Sequence, residues 1–433
     1  MTTSTIAVAD AAALIRDTDT LGVPLGPGQP VELLHELGKR ERFDDLQVYG
    51  ALLVDLYEVF TRPGVRMASG FFGPAERFLR DSGASIEFVP ADFRRFTPVL
   101  EATRPRVMAT MAAPPDEHGW CSLSLHAGAT VGELHRAGAD PDRVLIVEVS
   151  PAFPRTFGLE PEFPHRLHLD EIDVLIESDR LPINLADDEA GEVDLAIAGF
   201  VRPFIHDGST LQTGIGAIPS TIAKVLAESD GGDYGIHSEM FTTGLMHLHK
   251  AGKVTNARKG IFEGFSVTTF AAGTPELYEW LDGNDLVRFL PVEQVNAPEL
   301  IARNESMVTI NGALCVDLYG QVVADTIAGR QFSGIGGHED FIGGPGLDIT
   351  DRSLICLPSM AGHVGDHPHS RIVAELPAGS IVTTPRHQVD AVITEYGVAD
   401  LSGKTVRDRA RALASVAHPD VRDELLAAAE QLG

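Results

Sequence analysis

The segment GIHSEM, residues 235–240, contains a side chain that could do covalent chemistry. If the segment is a strand, His237 and Glu239 face the same side, because successive side chains of a strand alternate. Glu239 then lies at the carboxyl end of the strand, where open α/β sheets bind their ligands. Taken alone, the pattern is also typical of an exposed glutamate at the end of a strand.

Two glycine-rich segments could bring backbone N–H groups close to a ligand. In residues 209–218, STLQTGIGAI, a predicted strand runs through Gly214 and Gly216 into a predicted helix. Glycine permits tight turns and close approach, and helix N-termini favour negative charge. The segment is not a dinucleotide fingerprint, because Pro219 occupies the third glycine position. The second segment, residues 333–344, has five glycines in twelve residues, which is also compatible with a plain surface loop.

Other catalytic patterns are weaker. Three histidines and an aspartate occur within residues 363–369, HVGDHPH, and these residue types can bind a metal. The segment contains glycine and proline and lacks a spacing that would fix ligand geometry, so it predicts a solvated loop and no metal. The sequence has no GxSxG elbow and no Walker motif, which disfavours a serine hydrolase and a P-loop enzyme.

Composition limits the classes of partner. The chain has 433 residues, a net charge of -28 and a hydrophobic fraction of 44%, which predicts about two globular domains. Such acidity argues against binding nucleic acid or anionic lipid. Three cysteines without a CxxC pair, Cys121, Cys315 and Cys356, predict a reducing, cytoplasmic setting. The N-terminus does not resemble a signal peptide, and no apolar run suits a membrane span.

The elements that must position these residues follow an alternating pattern. Short apolar runs such as VLIVEV, separated by helical stretches such as residues 219–228, predict an α/β fold with two open, largely parallel sheets. The acidic stretch ADDEAGEVD precedes a predicted boundary between domains at 1–195 and 196–433. The predicted strands are 65–70, 106–111, 144–149, 173–178, 193–199, 235–239, 266–271, 307–317, 353–357 and 389–395.

In order, the motifs resemble those of the acetyl-CoA hydrolase/transferase family, which has the class I CoA-transferase fold. The resemblance covers nearly the whole chain and is greatest to the 4-hydroxybutyrate and short-chain acyl-CoA transferases. The segments that carry it are PPDEHGWCSLS (114–124), DGSTLQTGIGAIP (207–219), GIHSEMFTTGL (235–245), VTNARKG (254–260), VNAPELIARN (295–304), INGALCVDLYGQV (310–322), SGIGGHEDF (333–341) and VTTPRHQVDAVITEYGVADLSGKT (382–405).

The resemblance implies a role for individual residues. It implies that Glu239, in the H-[ST]-E-M stretch, is the catalytic glutamate and that Asn296 lies beside the reacting carboxylate, in an active site between the two domains. Ile215 and Gly337 are expected to offer backbone N–H groups to the thioester oxygen. The expected substrate-binding residues are Gly214, Ile215, Gly216, Ala217, Ile218, Leu314, Ser333, Gly337 and Glu395.

The resemblance also implies the reaction. A CoA-transferase moves CoA from a short-chain acyl-CoA to a carboxylate, such as acetate, 4-hydroxybutyrate or propionate, in ping-pong steps. Acyl-glutamyl anhydride and glutamyl-CoA thioester are the intermediates, and no metal or other cofactor is needed. Acyl-CoA hydrolysis on the same glutamate is the alternative, and a non-catalytic CoA-binding protein is a further one. A homodimer is expected on symmetry grounds.

Two segments depart from the family pattern. Relatives often read G-Q-V-N-S where this chain has GQVVAD, with Val323 in place of a polar residue. Residues 348–371 also differ from the more basic, GGK-containing version of relatives. These departures leave open which residues bind the CoA phosphates and which acyl group is preferred.

Overall fold

The computed structural model describes residues 4–186, 189–345, 350–364 and 367–432. The chain divides into two compact units. The first comprises Met1–Ala186 and Val267–Asn296, and the second comprises Asp187–Ser266 and Ala297–Gly433. The first boundary lies near the predicted one at 195/196. The return of 267–296 to the first unit had no signal in the sequence, since it depends on tertiary packing.

The first unit is built on an eight-stranded sheet in which every pair of neighbours is parallel. Its central strands are buried along nearly their whole length, as expected for a parallel sheet covered by helices. In spatial order the strands are Ser4–Thr5, Val174–Glu177, Val144–Val149, Val107–Ala112, Thr20–Leu25, Leu46–Ala51, Val65–Ser69 and Ile86–Phe88.

Helices and short strands complete the first unit. A core of aliphatic and aromatic side chains, including Leu33, Leu34 and Phe60, packs against the sheet. The α-helices are Val8–Ala13, Val31–Leu37, Pro74–Asp81, Phe96–Thr103, Val131–Gly138, Pro275–Leu281 and Val292–Val295, and the short strands are Trp120–Ser122, Arg166–His168, Phe270–Ala271 and Val287–Phe289. Short 3-10 helices occur at Gly26–Gly28, Glu58–Thr61, Phe93–Arg95 and Leu169–Glu171.

The second unit has a six-stranded sheet that is parallel except for its last pair. In spatial order its strands are Gly235–Ile236, Thr210–Thr213, Met307–Gly312, Arg352–Cys356, Ala391–Thr394 and Gly397–Asp400. The α/β class and the two open, largely parallel sheets that the sequence predicts are therefore confirmed.

The helices of the second unit bury aliphatic side chains against this sheet, with Leu413 and Val392 in a shared core. The helices are Glu192–Val201, Ala217–Glu228, Thr243–Lys250, Pro298–Ile301, His338–Gly343, Val406–Ser415 and Pro419–Ala429, with a 3-10 helix at Arg202–Phe204. The short strands are Met240–Phe241, Cys315–Asp317, Val322–Val323, Thr326–Ile327, Arg330–Gln331, Met360–Val364, His367–Ser370 and Ile372–Val373, and Ser266–Thr268 lies across the unit boundary.

One predicted strand is wrong, because residues 193–199 lie within the helix Glu192–Val201. The buried residues Ile197, Ala198 and Val201 have helical spacing, and Asp194 accepts the Gly191 N–H at 2.9 Å at the start of the helix. A short apolar run is compatible with the period of a strand and with that of a helix. Here the capping carboxylate and the buried helical face favour the helix.

In the described part of the chain, no helix is long and apolar enough to cross a membrane.

Candidate active site

The predicted site residues of the second unit gather at one edge of its sheet. Three neighbouring parallel strands end there, and each continues into a segment that the sequence singles out. Thr210–Thr213 leads into the glycines 214–216, Gly235–Ile236 into residues 237–239, and Met307–Gly312 into Leu314. Carboxyl ends of parallel strands are the usual place for a ligand in an open α/β sheet.

Glu239 lies three residues beyond the end of the strand Gly235–Ile236, so the predicted strand over 235–239 is shorter than expected. Its side chain is half-buried. The preceding Ser238 is fully buried, and its hydroxyl lies 3.1 Å from the Thr213 carbonyl oxygen and 2.8 Å from the Met240 carbonyl oxygen. Ser238 therefore ties the backbone around Glu239 to the residue that precedes the glycine loop.

His237 faces the interior of the second unit. It is fully buried, and its Nδ1 accepts a hydrogen bond from the Asn304 amide at 3.0 Å. Its ring lies 6.2 Å from those of Phe262 and Phe341, centroid to centroid. The structure thus separates the environments of His237 and Glu239, which a continuous strand would have placed on one face.

The glycine loop, residues 214–216, joins the strand Thr210–Thr213 to the helix Ala217–Glu228. Gly216 has φ 116° and ψ 174°, a conformation that non-glycine residues rarely adopt. A Cβ placed on Gly214 or Gly216 would meet no atom within 4 Å, so the loop backbone faces open space. No described side chain caps the start of this twelve-residue helix. A helix N-terminus without a capping side chain is a place where an oxyanion can bind.

The loop forms one wall of a cavity of about 290 Å³ within the second unit. The other walls come from the ends of neighbouring strands, and among the described lining residues Asp194 and Arg371 are charged. One Arg371 guanidinium nitrogen, Nη1, donates to the Ala313 carbonyl at 3.2 Å. The lining residues are Asp194, Gly214, Ile215, Gly216, Ala217, Ile218, Pro219, Ile310, Asn311, Gly312, Ala313, Cys356, Leu357, Pro358 and Arg371. All five predicted residues from Gly214 to Ile218 thus line one cavity.

Glu395 directly follows the strand Ala391–Thr394 and is held at the same sheet edge. Its carboxylate accepts the Ser359 N–H at 2.8 Å and the Ser359 hydroxyl at 2.5 Å. Ser359 was not predicted as a site residue. The signal for it was its place just after the buried run SLICLP, at the end of another parallel strand.

The second glycine segment is partly helical, because a helix over His338–Gly343 follows Gly337. Gly337 is buried, with an ordinary φ of -92°. Two hydrogen bonds hold Ser333 in place. Its N–H donates to the Asp325 carbonyl at 3.0 Å, and its hydroxyl donates to the Ala324 carbonyl at 3.3 Å. Their contacts with a substrate stay predictions.

Two further predictions concern residues elsewhere. Asn296 is fully buried at the end of the first unit, where its N–H donates to the Val292 carbonyl at 2.8 Å. Its place beside the reacting carboxylate stays a prediction. The side chains of His363, Asp366 and His367 lie outside the described residues. Elsewhere in the described chain, no group of three or more ligating side chains is placed to hold a metal.

Known proteins match the chain over most of its length. Residues 273–429 match the acetyl-CoA hydrolase/transferase C-terminal domain. The chain is 36% identical to the 4-hydroxybutyrate coenzyme A transferase of Clostridium kluyveri, with 92% of this chain and 91% of the relative covered. It is 34% identical to the butyryl-CoA:acetate CoA-transferase of Anaerostipes caccae, with 83% and 82% covered. The crystal structure of RipA from Yersinia pestis is similar with a TM-score of 0.89, at 31% identity and with 98% and 97% covered.

Proposed function

Since this chain belongs to the acetyl-CoA hydrolase/transferase family and is a CoA-transferase acting between acyl-CoAs and carboxylates, we propose that Glu239 is its covalent nucleophile. The family predicted from the order of the motifs is thereby confirmed. The observation that carries the proposal is the attachment of Glu239, through Ser238, to the residue preceding the glycine loop. A half-buried carboxylate and the glycine loop thus share one sheet edge.

The exchange proceeds in two reversible halves. The Glu239 carboxylate attacks the acyl carbonyl carbon of the acyl-CoA, and the C–S bond breaks to give an acyl-glutamyl anhydride and CoA thiolate. The thiolate then attacks the glutamyl carbonyl, which releases the first carboxylate and leaves a glutamyl-CoA thioester. A second carboxylate repeats these steps in reverse and leaves as the new acyl-CoA. Splitting the exchange in this way replaces one difficult displacement with easier ones.

Each step passes through a tetrahedral oxyanion that needs hydrogen-bond donors. The Ile215 N–H lies in the glycine loop, where open space above the backbone admits a reacting carbonyl, and Gly337 is the proposed second donor. Both donors belong to the backbone, so they need no side-chain rearrangement during the reaction. Loss of one such donor costs roughly 3–4 kcal/mol of transition-state stabilisation in well-studied enzymes.

The acids exchanged are proposed from the relatives. The two matched transferases are named for 4-hydroxybutyrate, butyrate and acetate, so short-chain monocarboxylates are the proposed donors and acceptors. Leu314, Ser333 and Glu395 are proposed to line the CoA and acyl groups, and Asn296 to position the reacting carboxylate. A homodimer is the proposed assembly.

Replacing Glu239 with Gln tests the proposal most directly. An amide of the same shape is a much poorer nucleophile, so we expect transfer between butyryl-CoA and acetate to fall by at least about a thousandfold. Thermal unfolding should change little, because the side chain is only half-buried. The exposed Glu263 of the same unit is the matched control, and Glu263→Gln should transfer CoA at the wild-type rate.

The intermediate itself can be trapped. Wild-type enzyme incubated with butyryl-CoA and then with borohydride should lose activity, and peptide mapping should place the reduced residue at position 239. Transfer and hydrolysis are measured separately, and transfer should dominate when acetate is in excess. A label on a serine or cysteine would overturn the role of Glu239. Release of free CoA at the same rate with and without acetate would establish the hydrolase alternative.

A further inference from the structure

The strand that leads to Glu239 is the outermost strand of its sheet. Gly235–Ile236 pairs on one side only, with Thr210–Thr213. The Gly235 N–H donates at 3.0 Å to the carbonyl of Ser209, just before that strand, and the His237 N–H donates at 3.1 Å to Leu211 within it. The N–H and C=O of Ile236 point the other way, because backbone groups alternate along a strand. Backbone groups on such an edge need partners when they are buried.

Two buried side chains supply these partners. The Oδ1 of Asn256 accepts the Ile236 N–H at 2.9 Å, and the Nζ of Lys259 donates to the Ile236 carbonyl at 2.8 Å. Asn256 is 2% exposed and Lys259 is 0% exposed. The same ammonium donates to the Phe265 carbonyl at 2.8 Å, and the Asn256 amide donates to the Ser266 hydroxyl at 3.1 Å. Together they occupy the place of a neighbouring strand.

A fully buried lysine is an expensive donor for two carbonyl groups. Within the described part of the chain no carboxylate forms an ion pair with its ammonium, and burial lowers the pKa of Lys259 well below its usual range. An apolar side chain of similar length would avoid the desolvation penalty but would leave both carbonyls without this donor. Lys259 thus contributes through the backbone that its two hydrogen bonds fix.

The lysine stem also accounts for the glycine that begins the strand. A Cβ on Gly235 would lie 2.5 Å from the Lys259 Cγ, so the stem can cross the strand only where the side chain is absent. Gly235 and Lys259 are thus fitted to each other. This close packing brings the ammonium to the carbonyl of residue 236, three residues before Glu239.

We propose that Lys259 and Asn256 are positioning residues, which fix the backbone from which Glu239 reaches the acyl carbonyl. The inference rests on the proposed role of Glu239. Asn256 and Lys259 hold Ile236, and the Ser238 hydroxyl bonds to the residue before the glycine loop. The backbone that leads to Glu239 is therefore fixed both before and after His237. Small displacements matter because covalent attack demands close alignment of the reacting atoms.

The test compares Lys259→Met with Lys253→Met. Lys253 is a half-buried lysine of the same unit whose ammonium donates to the Ser229 carbonyl and not to the strand Gly235–Ile236. We expect Lys259→Met to lower kcat by on the order of ten- to a hundredfold, because a displacement of about 1 Å can cost that much. The KM for butyryl-CoA should stay within about threefold of wild type, and Lys253→Met should retain the wild-type kcat.

A second pair of variants keeps the test informative if Lys259→Met does not fold. Asn256→Asp retains an oxygen acceptor for the Ile236 N–H, whereas Asn256→Leu has a similar size and no acceptor. When both variants are saturated with butyryl-CoA, Asn256→Asp should therefore keep several times more of the wild-type kcat than Asn256→Leu. Equal kcat values for the two Asn256 variants, or a wild-type kcat in folded Lys259→Met, would overturn the inference.

Borohydride trapping separates this inference from the proposed function. In Lys259→Met the label should still form on Glu239, only more slowly than in wild type. A wild-type enzyme labelled elsewhere would refute the role of Glu239 itself. Labelling of Glu239 at the wild-type rate in Lys259→Met would refute only the positioning role.

Discussion

Ser238, His237 and Ser359 act on other parts of the protein and do not line the cavity described for the second unit. Ser238 reaches the end of a neighbouring strand, His237 accepts a bond from Asn304, and Ser359 holds the carboxylate of Glu395. Ser359 thereby holds a carboxylate that is proposed to line the substrate, and Ser238 holds the residue before the glycine loop, whereas the bond between His237 and Asn304 lies in the interior of the unit. The side chains at this sheet edge are therefore held by partners that lie far away in sequence.

Buried histidine in the first unit predicts sensitivity to acid. His165 is 2% exposed, its Nε2 lies 2.9 Å from the Ser124 carbonyl oxygen, and its ring stacks on Phe289. Burial lowers the pKa of His165 to about 4, from an ordinary value of 6.5. Between these two values the unfolded chain binds more protons than the folded one, so stability is lost as the pH falls through that window.

Replacing this histidine with glutamine should weaken the acid sensitivity. The amide of His165→Gln can still donate to the Ser124 carbonyl but does not titrate. Between about pH 7 and pH 5, urea unfolding of the variant should therefore show a smaller drop in unfolding free energy than wild type. His118→Gln, at an exposed position, should show the wild-type drop. An equal drop in all three proteins would exclude His165 as a source of the pH dependence.

The elements were predictable where the pattern was local. The strand that precedes the glycine loop, the loop and the helix after it follow from the glycines and the apolar spacing of residues 209–228. The strand before Glu239 was predicted too long, since the chain leaves the ladder after His237, where the Ser238 hydroxyl bonds to Thr213 and the His237 ring bonds to Asn304. Those partners come from other elements, so a local pattern could not reveal them.

The glycine loop gives a prediction for a single added methyl group. Gly216→Ala and Gly214→Ala each place a Cβ in open space, but only Gly216 has a positive φ. Gly216→Ala should therefore lower the unfolding free energy by about 1–3 kcal/mol, or relax the loop and shift the start of the helix. Gly214→Ala should lower it by less than about 1 kcal/mol.

Denaturant unfolding measures the stability of Gly216→Ala, and a transfer assay measures its kcat. If the loop relaxes in Gly216→Ala, the Ile215 N–H moves from its proposed position and kcat falls while the protein stays stable. If the loop keeps its shape, stability falls and kcat is retained. A Gly216→Ala variant with wild-type values of both would show that the loop does not need its observed backbone conformation.

Across the whole molecule, the sequence could predict the two parallel sheets but not which segments complete each unit. Buried apolar runs specify strands, and their alternation with helices specifies parallel sheets. The assignment of 267–296 to the first unit depends on contacts with residues more than a hundred positions earlier, such as the Ala271 N–H bond to the Leu125 carbonyl. Only a family resemblance could have anticipated such pairing.

The net charge of -28 predicts how kcat/KM for acyl-CoA depends on ionic strength. Coenzyme A carries several phosphate charges, so an acidic protein repels it over distances that salt shortens. At low acyl-CoA and saturating acetate, kcat/KM should therefore rise roughly two- to tenfold between about 10 and 150 mM ionic strength. The matching acyl-pantetheine thioester, which lacks the phosphates, is the control, and its kcat/KM should not change with salt. A kcat/KM for acyl-CoA that falls as salt is added would show that local contacts with the CoA phosphates outweigh the field of the whole molecule.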